Sequence, residues 1–238
     1  MDSITIHETV DACVTDACAF LGVDRPQFFA LAHQWGAYSQ AFKSFDDPRE
    51  FYLAWDGDRG RSNLCANILD QFTRPHILNL IPRLPVETGS APLSFADIGC
   101  GTAAASFSAA RRYRRAYLVD VPNLAQKFVS WRCEHHHLSN ISIGTLDVIR
   151  EPVQVMMCID VLEHIAEATA FFAELNTRIY PSGILILQAP WHSMTPHPEH
   201  LPEAERNWNT GGGRAMLETQ FNVIERWQAG GIYQKKAA

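Results

Sequence analysis

The chain has 238 residues, 47% of them hydrophobic and 19% charged, with a formal charge of −6. That length buries a full core, and the composition excludes a largely disordered chain. The acidic balance offers no wide basic face for nucleic acid.

Six cysteines, Cys13, Cys18, Cys65, Cys100, Cys133 and Cys158, are dispersed without a C-x-x-C pair, so neither a zinc ribbon nor a disulfide framework is expected. They fit a reducing compartment. The first residues lack a basic stretch followed by an apolar one, and no apolar run reaches about 18 residues. The expectation is a soluble, cytoplasmic chain with no membrane partner.

In chain order, Val10, Cys13, Val14, Ala17, Cys18 and Leu21 recur at three- and four-residue spacing, which predicts a helix that Gly22 ends. A second helix opens at Asp24, with Pro26 in its first turn, and carries Phe28, Phe29, Leu31, Ala32 and Trp35. Asp46-Asp47-Pro48 starts a third, before Phe51, Tyr52, Leu53 and Trp55. Asp56 to Gly60 reads as a loop and Asn63 to Phe72 as a further helix. Pro82, Pro85 and Pro92 mark the connection into Leu93.

Beyond Leu93, strands alternate with helices, the pattern of a parallel sheet covered on its faces. Strands are expected at 93–98, 117–120, 141–143, 153–159 and 184–189, with helices at 102–113, from Pro122 towards His136, at 167–179 and near 214–219. Phe221 to Trp227 and Ile232 to Gln234, around Gln228-Ala229-Gly230-Gly231, predict an antiparallel hairpin at one sheet edge.

Leu93 to Ala105 is a strand, a glycine turn and small residues suited to a helix start, which describes a nucleotide-type pocket. It fits a dinucleotide fingerprint if Ala104 takes the third glycine position and Asp120, about 20 residues on, holds a ribose. A pocket for S-adenosylmethionine fits better. Asp97, two residues before Gly99, suits a methionyl ammonium group and would repel a pyrophosphate. The long helical segment ahead of the motif and the closing hairpin also favour it.

The ordered set Phe95 to Thr102, Leu118 to Pro122, Gly144 to Val148, Cys158 to His164 and Tyr180 to Leu185 resembles the class I S-adenosylmethionine-dependent methyltransferases over residues 93 to 234. The resemblance implies a doubly wound, mostly parallel, seven-stranded sheet with a C-terminal antiparallel hairpin. A helical lid at 1–90 would precede a cofactor domain at 91–238. It places Asp97, Gly99, Cys100 and Gly101 against the methionyl and ribose part, Asp120 on the ribose hydroxyls and Val121 on adenine. Asp147 would accept from the adenine amine, Val148 would cover the ring, and Asp160 would lie near the methyl-transfer locus.

His192, in the histidine-bearing loop 188–201, is a candidate general base, as an imidazole titrates near pH 6.5. His164 and Asp160 are further catalytic candidates. In some plant-type O-methyltransferases a catalytic His directly precedes the residue matching Asp160; Ile159 stands there instead. Asp160, Glu163 and His164 resemble the metal ligands of quinone-precursor O-methyltransferases, but a helix N-terminus stabilised by acidic residues is the favoured reading, and His192, His197 and His200 lack a helical zinc spacing. No metal is expected. Trp35, Tyr38 and Trp55, near Arg59 and Arg61, line an acceptor site or form ordinary core.

The reading is a transferase that uses S-adenosylmethionine on a small-molecule acceptor, plausibly in specialised metabolism, as monomer or homodimer. Three alternatives stand beside it. They are a cofactor-cyclising or aminocarboxypropyl-transferring enzyme, an NAD-dependent oxidoreductase and a non-catalytic cofactor-binding subunit.

Overall fold

The computed structural model describes residues 6–40, 42, 45, 48–54, 56–70, 80, 93–195 and 197–237. Trp55 and the prolines at 82, 85 and 92 therefore lie outside the described residues, as does Asp46-Asp47. Four helices come first: α1 (Ile6–Leu21), α2 (Arg25–Ser39), α3 (Pro48–Leu53) and α4 (Gly57–Asp70). Gly22, at φ +66°, ends α1 in the left-handed region that only glycine enters without strain. Asp24 caps α2, accepting from the Gln27 N–H at 2.8 Å, and the Gln27 side chain reciprocates by accepting from the Asp24 N–H. The loop expected at 56–60 is a helix start instead, with Asp58 in the first turn of α4, where a carboxylate meets the positive end of the dipole.

The remainder is β1 (Ser94–Ile98), α5 (Phe107–Ala110), β2 (Arg115–Val119), α6 (Leu124–His135), β3 (Ile141–Gly144), β4 (Val153–Ile159), α7 (Ala168–Thr177), β5 (Ile179–Gln188), α8 (Pro202–Thr210), α9 (Gly213–Gln220), β6 (Phe221–Trp227) and β7 (Gly230–Lys235). The sheet order is β3-β2-β1-β4-β5-β7-β6. β1 to β5 pair in parallel, and β7 lies antiparallel to both β5 and β6. This is the doubly wound, seven-stranded sheet with a terminal hairpin that the sequence leads one to expect.

Alternate residues along the central strands serve opposite faces. Ala96, Ile98, Tyr117, Val119, Met156, Cys158, Leu185 and Leu187 pack with Phe172, Trp208 and Leu217 from α7, α8 and α9. Phe95, Leu118, Val155, Met157 and Ile186 pack on the other face with Phe107, Ala110 and Val129 from α5 and α6. Burial on both faces is why β4 reads as an almost unbroken apolar run.

Three elements depart from the periodicity. The helix expected over 102–113 shrinks to α5, because Gly101 and Ala103 take φ of +52° and +50° and the intervening residues form turns. Pro181-Ser182-Gly183, residue types that favour a turn, instead lie inside β5 as an irregularity, with Ser182 at φ +64°. The stretch between the histidine-bearing loop and the helix expected near 214–219 contains α8, marked by Pro202 in its first turn, Glu203 and Glu205 near its N-terminus, and buried Ala204 and Trp208.

The N-terminal helices share cores with the sheet domain. Val10, Cys13, Val14, Phe28, Leu64 and Ile68 pack with Ala104, Ala105 and Phe128. Phe42 and Phe51 pack with Leu201 and Ala204. A buried ion pair fastens the first of these contacts: Arg132 of α6, 4% exposed, donates from Nε to Asp16 Oδ2 of α1 at 2.9 Å, and His136 Nε2 meets the same oxygen at 3.0 Å. Phe107 lies 3.8 Å under the guanidinium. The C-terminal end of α6 is thus partly an internal contact, with Cys133 buried. Removing one partner of a buried pair strands the other charge, so Asp16→Ala should lower the unfolding free energy by about 3–5 kcal/mol, measured by urea denaturation.

Candidate active site

The carboxyl edge of the sheet reverses its winding between β1 and β4, and open α/β sheets bind ligands at such a crevice. Here the N–H groups of Gly99 and Cys100 both donate to the Val119 carbonyl, at 2.8 and 3.0 Å, which bends the chain sharply out of β1. Gly99 has φ +68°, and a Cβ on it would stand 2.3 Å from Val161 Cγ2. Both facts require glycine there.

Asp120, following β2, accepts at 2.6 Å from the Gly101 N–H and at 2.7 Å from the Val121 N–H. Its carbonyl accepts from Gln126 Nε2 at 3.0 Å. Desolvation pushes its carboxyl up to about 6 against the pull of those two N–H groups. Asp97, 7% exposed in β1, is pushed up to about 7, chiefly by burial, with the Ser106 hydroxyl opposing and the Asp120 charge adding to the rise. The structure thus gathers Asp97, Gly99, Cys100, Gly101, Asp120 and Val121 around one turn.

Asp147 and Val148 lie on the short 3-10 turn after β3. Asp147 is exposed and receives the Thr145 hydroxyl, which holds its carboxyl below the usual carboxylate value. Val148 packs against Gly144, where a Cβ would come within 2.4 Å of its Cγ1. Asp160, just beyond β4, adopts φ +56°, a sparsely populated conformation for a non-glycine residue. Its Oδ1 accepts from Gln188 Nε2 at 2.8 Å, and Gln188 Oε1 accepts from Trp227 Nε1 at 2.9 Å. The strained aspartate is therefore aimed by a chain of contacts from β5 and β6.

Sequence reasoning missed Asn67. On α4, its Oδ1 accepts from the Thr102 N–H at 3.2 Å and the Thr102 hydroxyl at 2.7 Å, and it fills the space a Cβ on Gly101 would need. The N-terminal helices thereby touch the glycine turn itself. No spacing in the sequence signals a contact between residues this far apart.

His164 stands on the 3-10 turn after β4. Its Nδ1 lies 2.8 Å from the Glu199 carbonyl and 2.9 Å from Tyr52 Oη of α3, and Tyr52 donates to Glu199 Oε2 at 3.1 Å. Burial pushes the Glu199 carboxyl up to about 7 and the Tyr52 phenol well above its ordinary value. Tyr52 and Glu199 were not singled out, because three distant segments supply the cluster. His192 lies apart from these contacts, its Nδ1 directed at the His200 carbonyl at 3.1 Å. Trp35 packs against Phe51, with ring centroids 6.0 Å apart, and Arg59 lies over the Phe45 ring at 5.5 Å, both in core contacts.

Residues 96–187 match the family model described as a methyltransferase domain. Together with the strand order, this makes the segment a methyltransferase domain of the S-adenosylmethionine-dependent, class I fold. A 123-residue part, 49% of the chain, is 25% identical to pavine N-methyltransferase of Thalictrum flavum subsp. glaucum, and it spans only 34% of that protein. The structure of an O-methyltransferase family protein from Burkholderia thailandensis superposes with a TM-score of 0.55 at 15% identity, covering 78% of this chain and 64% of that one. N-methyltransferase NodS from Bradyrhizobium japonicum WM9, in complex with S-adenosyl-L-homocysteine, gives 0.50 at 16% identity over 83% and 98%. At these identities what the methyltransferase domain shares with the two structures is the fold. Among the described residues, no helix is long and apolar enough to cross a membrane.

The buried carboxylates make stability depend on pH. Asp97 keeps its proton up to about 7 in the folded domain but releases it near 3.8 when unfolded, so the folded state holds more protons between those values. Stability of the ligand-free protein should fall as pH rises from about 4 to 7, by on the order of 3 kcal/mol. Asp97→Asn should flatten that slope in urea denaturation across the range.

Proposed function

We propose that the protein transfers a methyl group from S-adenosylmethionine to a small-molecule acceptor. The observation that carries this reading is the pair of desolvated carboxylates, Asp97 and Asp120, set around the glycine turn at the switch point. They suit an ammonium group and a ribose diol, and they would repel the pyrophosphate of a dinucleotide. In this reading Asp97 anchors the methionyl end, Gly99, Cys100 and Gly101 bring backbone against it, and Asp120 accepts from the ribose hydroxyls. Val121 and Val148 cover the adenine, and Asp147 accepts from its amine.

The bound sulfonium supplies an electrophilic methyl group. The chain's own residues orient the acceptor, exclude water and remove its proton. Positioning alone supplies about 7 kcal/mol or more in favourable cases. Asp160 borders the transfer locus, and His164, held by Tyr52 and Glu199, is the group we place as proton acceptor, with His192 as the second candidate base. The contacts of α3 with Leu201, Ala204 and Trp191 support residues 1–90 acting as a lid over the cofactor domain, 91–238. The acidic chain favours a small acceptor over nucleic acid, in a cytoplasmic, specialised-metabolic setting.

Calorimetry should show S-adenosylmethionine binding that Asp120→Ala weakens at least about tenfold, a loss of about 1.4 kcal/mol; no binding, or binding indifferent to that change, overturns the pocket. Mass spectrometry of a reaction with candidate acceptors should find S-adenosylhomocysteine. Methylthioadenosine from the cofactor alone would instead identify cyclisation or aminocarboxypropyl transfer.

A further inference from the structure

Where the turn after β4 meets the loop after β5, Glu163, His164 and His200 converge. Each offers one ligand atom, and the three atoms lie within 4.8 Å of one another. The hydrogen bonds on the far side of each ring decide which nitrogen that is. The Glu199 carbonyl, 2.8 Å from His164 Nδ1, can only accept, so that nitrogen carries the hydrogen. The Thr195 carbonyl, 2.8 Å from His200 Nδ1, fixes the second ring in the same way. In a neutral imidazole a hydrogen on Nδ1 puts the lone pair on Nε2, and His164 Nε2 lies 3.8 Å from Glu163 Oε1.

Metal-bound histidines are held in this manner, with one nitrogen on the ion and the other donating to a backbone carbonyl or carboxylate. The His164 and His200 rings meet edge to face, with centroids 5.1 Å apart. Glu163 is 0% exposed. Beside this cluster lies a further buried carboxyl. Glu199, 6% exposed, has one carboxyl oxygen on Tyr52, while the other, Oε1, finds no hydrogen-bond partner among the described residues. A buried carboxyl oxygen in that condition is costly unless something positive stands close by.

We propose that Glu163, His164 and His200 bind a divalent transition-metal ion of the zinc type. Two imidazole nitrogens and one carboxylate oxygen favour zinc, iron, cobalt or nickel over magnesium and calcium, which prefer all-oxygen sites. Ligand distances of about 2.0–2.2 Å bring neighbouring donors to about 3 Å, so the three side chains close in around the ion. Asp160, grouped with Glu163 and His164 by sequence spacing, instead turns to Gln188, and His200 takes the third position. Three protein ligands leave a position open, as in catalytic sites. On the methyltransferase reading, and only on it, that position holds the acceptor's oxygen or nitrogen and favours loss of its proton to solvent, the ion then taking the place of His164 as the group that unmasks the nucleophile.

Metal-stripped protein, without S-adenosylmethionine, is titrated with Co2+ while its visible absorption is followed, and Zn2+ is then added in competition. The expected result is one equivalent bound through nitrogen and oxygen, without thiolate charge-transfer bands, and a melting temperature raised by Zn2+ but not by Mg2+. His164→Ala and His200→Ala should weaken binding at least about tenfold. His137→Ala, on the surface, should leave it unchanged. Should an alanine variant fail to fold by circular dichroism, Glu163→Gln, which preserves volume at a fully buried position, takes its place and should show the same loss. No binding, unchanged binding in the site variants, or thiolate bands would overturn the proposal. Because no methyl donor is present, a bound metal in an inactive protein would reject only the methyltransferase reading, and methyl transfer without metal binding would reject only this one.

Discussion

A side chain at position 99 would run into Val161, and that prohibition shapes the whole carboxyl edge of the sheet. With glycine there, two successive N–H groups end on the single carbonyl of Val119, and the chain leaves β1 in a turn tight enough to bring Gly101 onto the Asp120 carboxylate. The same close approach holds Val161 beside the turn and so places Asp160, Glu163 and His164, which follow β4 in quick succession. A larger residue at 99 would push β4's continuation away from β1 and open the crevice on which each of these groups depends.

The edge is costly to keep without a ligand. Asp97 and Asp120 both lie where burial disfavours their charged forms, and backbone N–H groups and a hydroxyl oppose that in part. Asp160 is held in a strained backbone conformation by a relay from Gln188 and Trp227. Carboxylates kept dry and strain kept in place are stored where a ligand can repay them, and the two cores on the faces of the sheet supply the stability that tolerates it.

The N-terminal helices do more than cover apolar surface. Asn67 bonds the glycine turn directly, Tyr52 reaches His164 and Glu199, and the Asp16–Arg132 pair locks α1 to α6 on the far side. These contacts tie the segment ahead of the methyltransferase domain to both ends of the crevice. A change in how α3 and α4 sit would be felt at Thr102 and at His164 together.

The sequence by itself determined the parallel sheet and the glycine turn, because both rest on local rules. Period-two apolar runs make strands, doubly buried strands become continuous apolar runs, and glycine is needed where φ is positive. It also determined the hairpin, whose turn residues flank β-forming runs. Only the tertiary structure decided where local rules conflict with packing. Thr102 to Ala105 could have been helix by propensity, but Asn67 takes the Thr102 N–H and the buried alanines dock on α1 and α4. Pro181 to Gly183 could have been a free turn, but pairing along β4 resumes beyond it. Spacing groups Glu163 with His164, but the meeting of that pair with Tyr52, Glu199 and His200 had no trace in it. They come from α3, the end of β4 and the loop after β5, and only the closing of the chain over the sheet edge makes them neighbours.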